Sequence, residues 1–157
     1  MAILLNQPVS SSENERGTQP DRIRRRFEAR FRVRSYEMDS FGHMNNAVFL
    51  NYLEAARGEY LLQAGLSFNH FQEWGAFPVV RRAELSFQAA LKTHDEIIIT
   101  GDMEPLRRTG FRAHQQIIRA ADSRVALDAH LELVFTDRNG RPIAAPEIFR
   151  KRFLEGS

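Results

Sequence analysis

The chain contains no cysteine in its 157 residues. That excludes disulfide staples, thiolate catalysis and cysteine-type zinc sites together, and is compatible with a reducing cytoplasm. Lysine is nearly missing too. Lys92 and Lys151 are the only two, so positive charge is carried by arginine. No apolar run approaches the roughly 20 residues needed to span a bilayer. The opening, MAILLNQPVSSSENERG, has a short apolar patch without a basic lead, which makes a poor signal peptide. No G-x-S-x-G elbow, Walker A loop or G-x-G-x-x-G fingerprint occurs. Serine hydrolase, nucleotidase and dehydrogenase chemistry therefore have nothing to stand on.

What is present is ordinary in bulk and uneven in placement. Apolar residues make up 43% and charged residues 27%, which with this length suits one soluble domain with a single core. Residues 1–25 are rich in Ser, Asn, Gln and Arg and read as a disordered basic tail, leaving 26–157 as the domain. Between Arg16 and Arg34 eight arginines face only Asp21 and Glu28, a local balance of +6; the whole-chain +2 leaves −4 for the remainder. Such an arm can attract nucleic acid, an anionic surface or a polyanionic ligand. No aromatic residues interleave with Arg22, Arg24, Arg25 and Arg26, so a nucleic-acid stacking platform is not expected.

From Phe27 the apolar positions alternate through Ala29, Phe31 and Val33, which predicts a first strand. Asn45 and Asn46 are good N-caps, and Phe49, Tyr52, Leu53, Ala56 and Tyr60 then form one stripe of period 3.6. A helix of about five turns ending near Gly65 follows. A connector from Leu66 to Trp74 leads to four stretches of period two. The first has Val79, Ala83, Leu85 and Phe87 on one face with Arg81 interrupting. Others run from Glu96 to Gly101 and from Phe111 to Arg119, and the last alternates from Val125 to Phe135. Pro146 to Leu154 reads as a short terminal helix. One helix cannot cover both faces of five strands. The expected architecture is α+β, a curved antiparallel five-stranded sheet wrapped around one long helix, with edges that invite a second subunit.

The chemistry concentrates between Val33 and Tyr60. A strand runs into a polar loop holding one carboxylate, Asp39, then Gly42 and His43, and the loop opens directly into the helix. This junction can present a carboxylate and helix N-terminal N–H groups to one small volume, the pairing needed for water-driven attack on a carbonyl. The five histidines (43, 70, 94, 114 and 130) show no i, i+3 or i, i+4 pairing, so no metal site is expected. His130 is read as structural, on the polar face of its strand.

Tyr36, Asp39, Gly42, His43, Asn45, Asn46 and Phe49, followed by Glu54, Ala56 and Arg57, resemble the signature Y-x-x-D-x-x-G-H-x-N-N-x-x-Y/F and E-x-A-R of hotdog-fold acyl-CoA thioesterases, specifically the 4-hydroxybenzoyl-CoA thioesterase-like group. The similarity extends weakly from Arg30 to Phe153. The resemblance implies that Asp39 is the catalytic base or nucleophile and that backbone N–H near Asn46 polarises the thioester carbonyl. Gly42 and His43 would shape the loop. It also implies substrate contacts from Phe49 and from Arg81, Arg82, Arg107 and Arg108 to coenzyme A phosphates, with Asn45, Glu54 and Arg57 in support. Glu54 and Arg57 also suit a plain intrahelical ion pair. Where many relatives place a tyrosine after the second strand, this chain has Phe87, so no hydroxyl is available there.

The expectation is a cytoplasmic acyl-CoA thioesterase without metal or redox cofactor, a homodimer or homotetramer, with no membrane span. Two alternatives remain. One is hydrolysis of acyl-carrier-protein thioesters. The other is a non-catalytic module binding acyl thioesters or nucleic acid.

Overall fold

The computed structural model describes residues 26–155. The arginine-rich tail assigned to residues 1–25 lies outside them. The element order is β1 (Phe27–Arg32), a 3-10 turn at Ser35–Glu37, α1 (Asn46–Gln63), α2 (Phe68–Trp74), β2 (Phe77–Phe87), β3 (Glu96–Leu106), β4 (Gly110–Arg119), β5 (Arg124–Thr136) and α3 (Glu147–Phe149), continued by a π-turn over Arg150–Leu154. All five strands join one antiparallel sheet in the order β1-β3-β4-β5-β2.

The core lies between α1 and one face of this sheet. Phe49, Tyr52, Leu53 and Ala56 are buried on the helix; Ile97 and Ile99, Phe111 to Ile117 and Leu127 to Phe135 oppose them at alternate positions of the strands. Period 3.6 meets period 2 across one interface, so each element contributes only its apolar side. The helix stops where expected: Leu66 N–H returns to the Leu61 carbonyl at 2.8 Å and Gly65 N–H to that of Leu62 at 2.9 Å, a Schellman closure.

Three details differ from the sequence reading. The connector 66–74 contains a helix, α2, which Ser67 and Gly75 bound and which buries Phe71. Strand β3 extends beyond Gly101 to Leu106, because β4 pairs with it along its whole length. In β2 the register slips between Val80 and Arg82, so Arg81 is an extra bulged residue. The bulge puts Val79 opposite Val134 and Val80 opposite Leu133. Val79 therefore leaves the face shared by Ala83, Leu85 and Phe87. Alternation in the sequence cannot register an inserted residue, since the period resumes after it.

Among the described residues the sheet ends on two unpaired edges, β1 and β2. β1 has six residues. β2 has eleven, eight of them exposed, with Val79, Val80 and Phe87 among the exposed apolar side chains. The longer edge is the more capable template for another strand.

Candidate active site

The segment between β1 and α1 is built as a small closed hairpin. Before it, the Glu37 carboxylate accepts from the Arg34 N–H at 2.8 Å and from the Tyr52 hydroxyl at 2.7 Å, tying the loop entrance to the helix. Burial, reinforced by the Glu37 carboxylate, pushes the Tyr52 phenol well above its ordinary pKa and keeps it the donor. Met38 then bridges Met44, and Asp39 N–H donates to the His43 carbonyl at 2.7 Å. Gly42 takes φ +75 at the tip, where a Cβ would strain the backbone, and its N–H returns to the Asp39 carbonyl at 3.1 Å. Met44 N–H to the Leu91 carbonyl, 2.8 Å, and Asn45 N–H to that of Glu37, 2.9 Å, anchor the hairpin base.

Asp39 is half-buried within this frame. Its Oδ1 accepts from Phe41 N–H at 2.9 Å and His43 N–H at 3.1 Å. Its other oxygen takes no hydrogen bond from the described residues. One oxygen thus fixes the side chain and the second is left for a ligand or water. His43 contributes through its backbone, and its side chain is exposed. Asn45 is the N-cap, its Oδ1 accepting from Ala47 N–H at 2.9 Å, while Val48 N–H returns to the Asn45 carbonyl. That leaves Asn46 N–H as the first-turn amide without a protein partner among the described residues, at the positive end of the helix dipole.

The remaining positions scatter. Phe49 is buried, edge-on to Phe87 with ring centroids 5.2 Å apart. Glu54 is exposed and makes no ion pair with Arg57 among the described residues. Arg57, 9% exposed, turns into the core instead, donating to Gln115 Oε1 at 2.7 Å; Gln115 Nε2 donates to the Leu53 carbonyl at 3.0 Å. Arg57 therefore braces helix to sheet and does not reach the Asp39 loop.

A protein-family model for the thioesterase-like superfamily matches residues 33–153. The chain belongs to that superfamily. An acyl-acyl carrier protein thioesterase, ATL3, of Arabidopsis thaliana chloroplasts is 25% identical over 127 residues, covering 81% of this chain and 67% of that protein. Among solved structures, a 1,4-dihydroxy-2-naphthoyl-CoA thioesterase from Synechocystis superposes with a TM-score of 0.74 at 16% identity, covering 80% of this chain and 93% of the other. A probable thioesterase from Bartonella henselae gives 0.71 at 23%, covering 77% and 99%. The fold is the hotdog fold.

For a thioesterase-like chain the placement of the arginines is informative. Arg107, at φ +56, and Arg108 occupy the β3–β4 turn, whereas the Asp39 loop hangs from the other end of β3 through Val33 N–H to the Asp95 carbonyl. Eleven residues of strand separate them, roughly 33 Å at about 3.3 Å per residue. Arg81 and Arg82 lie in mid-β2, paired with Glu132 at 2.7 Å and Glu84 at 3.3 Å. Within one protomer Arg107 and Arg108 lie at the opposite end of β3 from the Asp39 loop, and Arg81 and Arg82 are engaged by acids on the sheet.

Sequence reasoning gave Tyr36 no role beyond its place in the signature and passed over Phe41. They are 77% and 84% exposed around the Asp39 hairpin, with Phe87 and Leu50 also uncovered. An aromatic at the tip of a polar loop was the available signal. It also missed the Glu37–Tyr52 lock, which joins residues 15 apart.

Proposed function

We propose that this chain hydrolyses an acyl-CoA thioester to a free acid and coenzyme A, with Asp39 as general base. The observation that carries the reading is the Asp39 carboxylate, pinned through one oxygen by two backbone N–H groups with its second oxygen open, in a loop that feeds directly into the N-terminus of α1. Water held on the open oxygen loses its proton to Asp39 as it attacks the thioester carbon. The oxyanion is met by a backbone donor such as Asn46 N–H, the C–S bond breaks, and Asp39 returns the proton to the leaving thiolate. With Oδ1 held by two backbone N–H groups, the open oxygen is the one that would take a water, and the base role is the one carried into the test below. Membership of the thioesterase-like superfamily supports the reaction class.

The working unit is a homodimer joined along β2. Pairing this edge would cover Val79 and Val80, and a two-fold axis reverses the partner, so that distant arginines of one protomer can approach the Asp39 loop of the other. No helix among the described residues is long and apolar enough to cross a membrane.

A second reading is favoured by the Arabidopsis relative, whose name specifies acyl carrier protein. An acidic carrier would dock on the arginine-rich arm at residues 16–34. Thiol release should be measured from short, medium, long and aromatic acyl-CoAs and from acyl-carrier-protein esters, on wild type and Asp39→Asn. Turnover on CoA esters that falls at least about a hundredfold in the mutant supports the proposal. Turnover confined to carrier-protein esters and lost with residues 1–25 transfers it to the second reading. Tight ester binding without turnover would make the chain a binding module. A single turnover in heavy-oxygen water separates the mechanisms, since only the nucleophile route can leave label in the Asp39 peptide.

A further inference from the structure

On the sheet face turned away from α1, two histidines and an aspartate converge. His114 on β4 pairs directly with His130 on β5, their rings stacked with centroids 4.4 Å apart and planes within 5°. Asp128 lies two residues before His130, on the same face of β5. His114 Nε2 is 2.8 Å from Asp128 Oδ1, and His130 Nε2 is 3.3 Å from Asp128 Oδ2. Gln116 Nε2 donates to Oδ1 at 2.8 Å and fixes the carboxylate plane. The three side chains offer donor atoms that all lie within 4.8 Å of one another.

We propose that His114, Asp128 and His130 bind one first-row divalent transition-metal ion, Zn²⁺ foremost, remote from the thioesterase site. Two imidazoles and a carboxylate form the nitrogen–oxygen donor set that suits Zn²⁺ and its neighbours and disfavours Mg²⁺ and Ca²⁺. The separations are near those required: bonds of about 2.0–2.1 Å in a tetrahedral site put ligand atoms roughly 3.3 Å apart, the distance His130 Nε2 already keeps from Asp128, while His114 has to withdraw by about half an ångström and the two stacked rings have to rotate out of parallel so that both lone pairs meet at the ion. Backbone geometry supplies the rest: residues i and i+2 of one strand and their cross-strand neighbour share one face, so a rigid sheet presents all three.

The surroundings are rich in carboxylates, of which Glu84, Glu104 and Glu132 are already paired with arginines. One register row across four strands reads Glu84, His130, His114, Asp102, with an imidazole pair between two carboxylates. A groove of about 390 Å³ runs over the same face, lined by both histidines with Glu84, Asp102, Glu104 and Glu132, though also by Arg82 and Arg112. His130 stays 63% exposed at its side chain, so water can reach the ion and complete its coordination. Binding requires each imidazole to turn an unprotonated nitrogen toward the ion.

The experiment is calorimetric titration of Zn²⁺ into the chelator-treated full chain, against His130→Gln and Asp128→Asn. All five histidines are at known positions and the tail has none, so the variants identify the site. The expected result is one ion per chain, with affinity reduced at least roughly tenfold in each variant and with Mg²⁺ failing to compete. Thermal unfolding of the metal-free variants checks that both still fold, which their position on the solvent face favours. Wild-type unfolding should shift upward with Zn²⁺ and the variants' should not. Absence of saturable binding at millimolar Zn²⁺, or binding that survives both substitutions, overturns the proposal.

Discussion

Substituting Gln115 by methionine removes the hydrogen-bond acceptor that the structure gives to a buried guanidinium. Arg57 donates to Gln115 at 2.7 Å and has no carboxylate partner among the described residues. Burial pulls its pKa from an ordinary 12.5 to about 10, only partly offset by Glu54. At about 1.4 kcal/mol per pH unit, the gap amounts to roughly 3 kcal/mol against burying that charge. Gln115→Met strips a hydrogen bond to a charged group, worth about 1.5–3 kcal/mol, together with about 1 kcal/mol for the amide's bond to the Leu53 carbonyl. The expected cost is about 2.5–4 kcal/mol, roughly 10 °C in Tm for a domain of this size. Arg57→Met also breaks the pair, but it removes the charge and keeps an apolar stem. Relief of about 3 kcal/mol offsets the orphaned glutamine oxygen, so this change should be close to neutral. The double variant leaves no charge and no orphan, and should recover stability to near wild type. Urea or thermal unfolding followed by the fluorescence of Trp74, the single tryptophan, measures all four proteins, at one fixed protein concentration so that any self-association is held constant. An Arg57→Met more damaging than Gln115→Met, or a double variant as unstable as the sum of the singles, would refute the reasoning.

Further outcomes are equally specific. Asp39→Asn should keep the loop, because an amide oxygen can still accept from Phe41 and His43, whereas Asp39→Ala should also lose about 1–3 kcal/mol of stability; equal unfolding curves for the two would show that the Oδ1 contacts hold nothing. A Cβ on Gly110 would sit 2.1 Å from the Leu133 carbonyl oxygen, a backbone atom, so Gly110→Ala should cost at least about 3 kcal/mol. Gly58, inside α1 with open space around it, should gain about 0.5–1 kcal/mol as Ala. Bonds from Arg119 hold the Asp122 carboxyl at about 2, below its ordinary 3.8; its stabilisation is present above that ordinary value and fades as pH falls toward 2, so Asp122→Asn should flatten the acid limb of Tm against pH. If the proposed β2-edge dimer forms, Val79→Lys with Val80→Lys should leave a monomer by light scattering; a dimer that survives both changes would place the interface elsewhere.

The α+β architecture, the span of α1 and the course of β5 were legible in the sequence because their signals are local. A stripe at period 3.6 or alternation at period 2 belongs to neighbouring residues, and Asn45 caps the helix two residues from the amide it serves. The turn around Asp39 was legible for the same reason, the bonds to and from Asp39 itself spanning at most four residues, whereas its anchors to Leu91 and Tyr52 are long-range. What required tertiary structure were relations set by strand order and register. The histidine spacing appeared empty of metal ligands because it was tested against helical intervals. His114 and His130 meet only because β4 and β5 pair in one particular register. The Val79 face, the Arg57–Gln115 brace and the distance from Asp39 to Arg107 and Arg108 depend likewise on a bulge, a cross-sheet contact 58 residues apart and the length of β3. Local preference selects each element. Which side chains meet across the sheet is decided by long-range pairing, and no window of neighbouring residues encodes it.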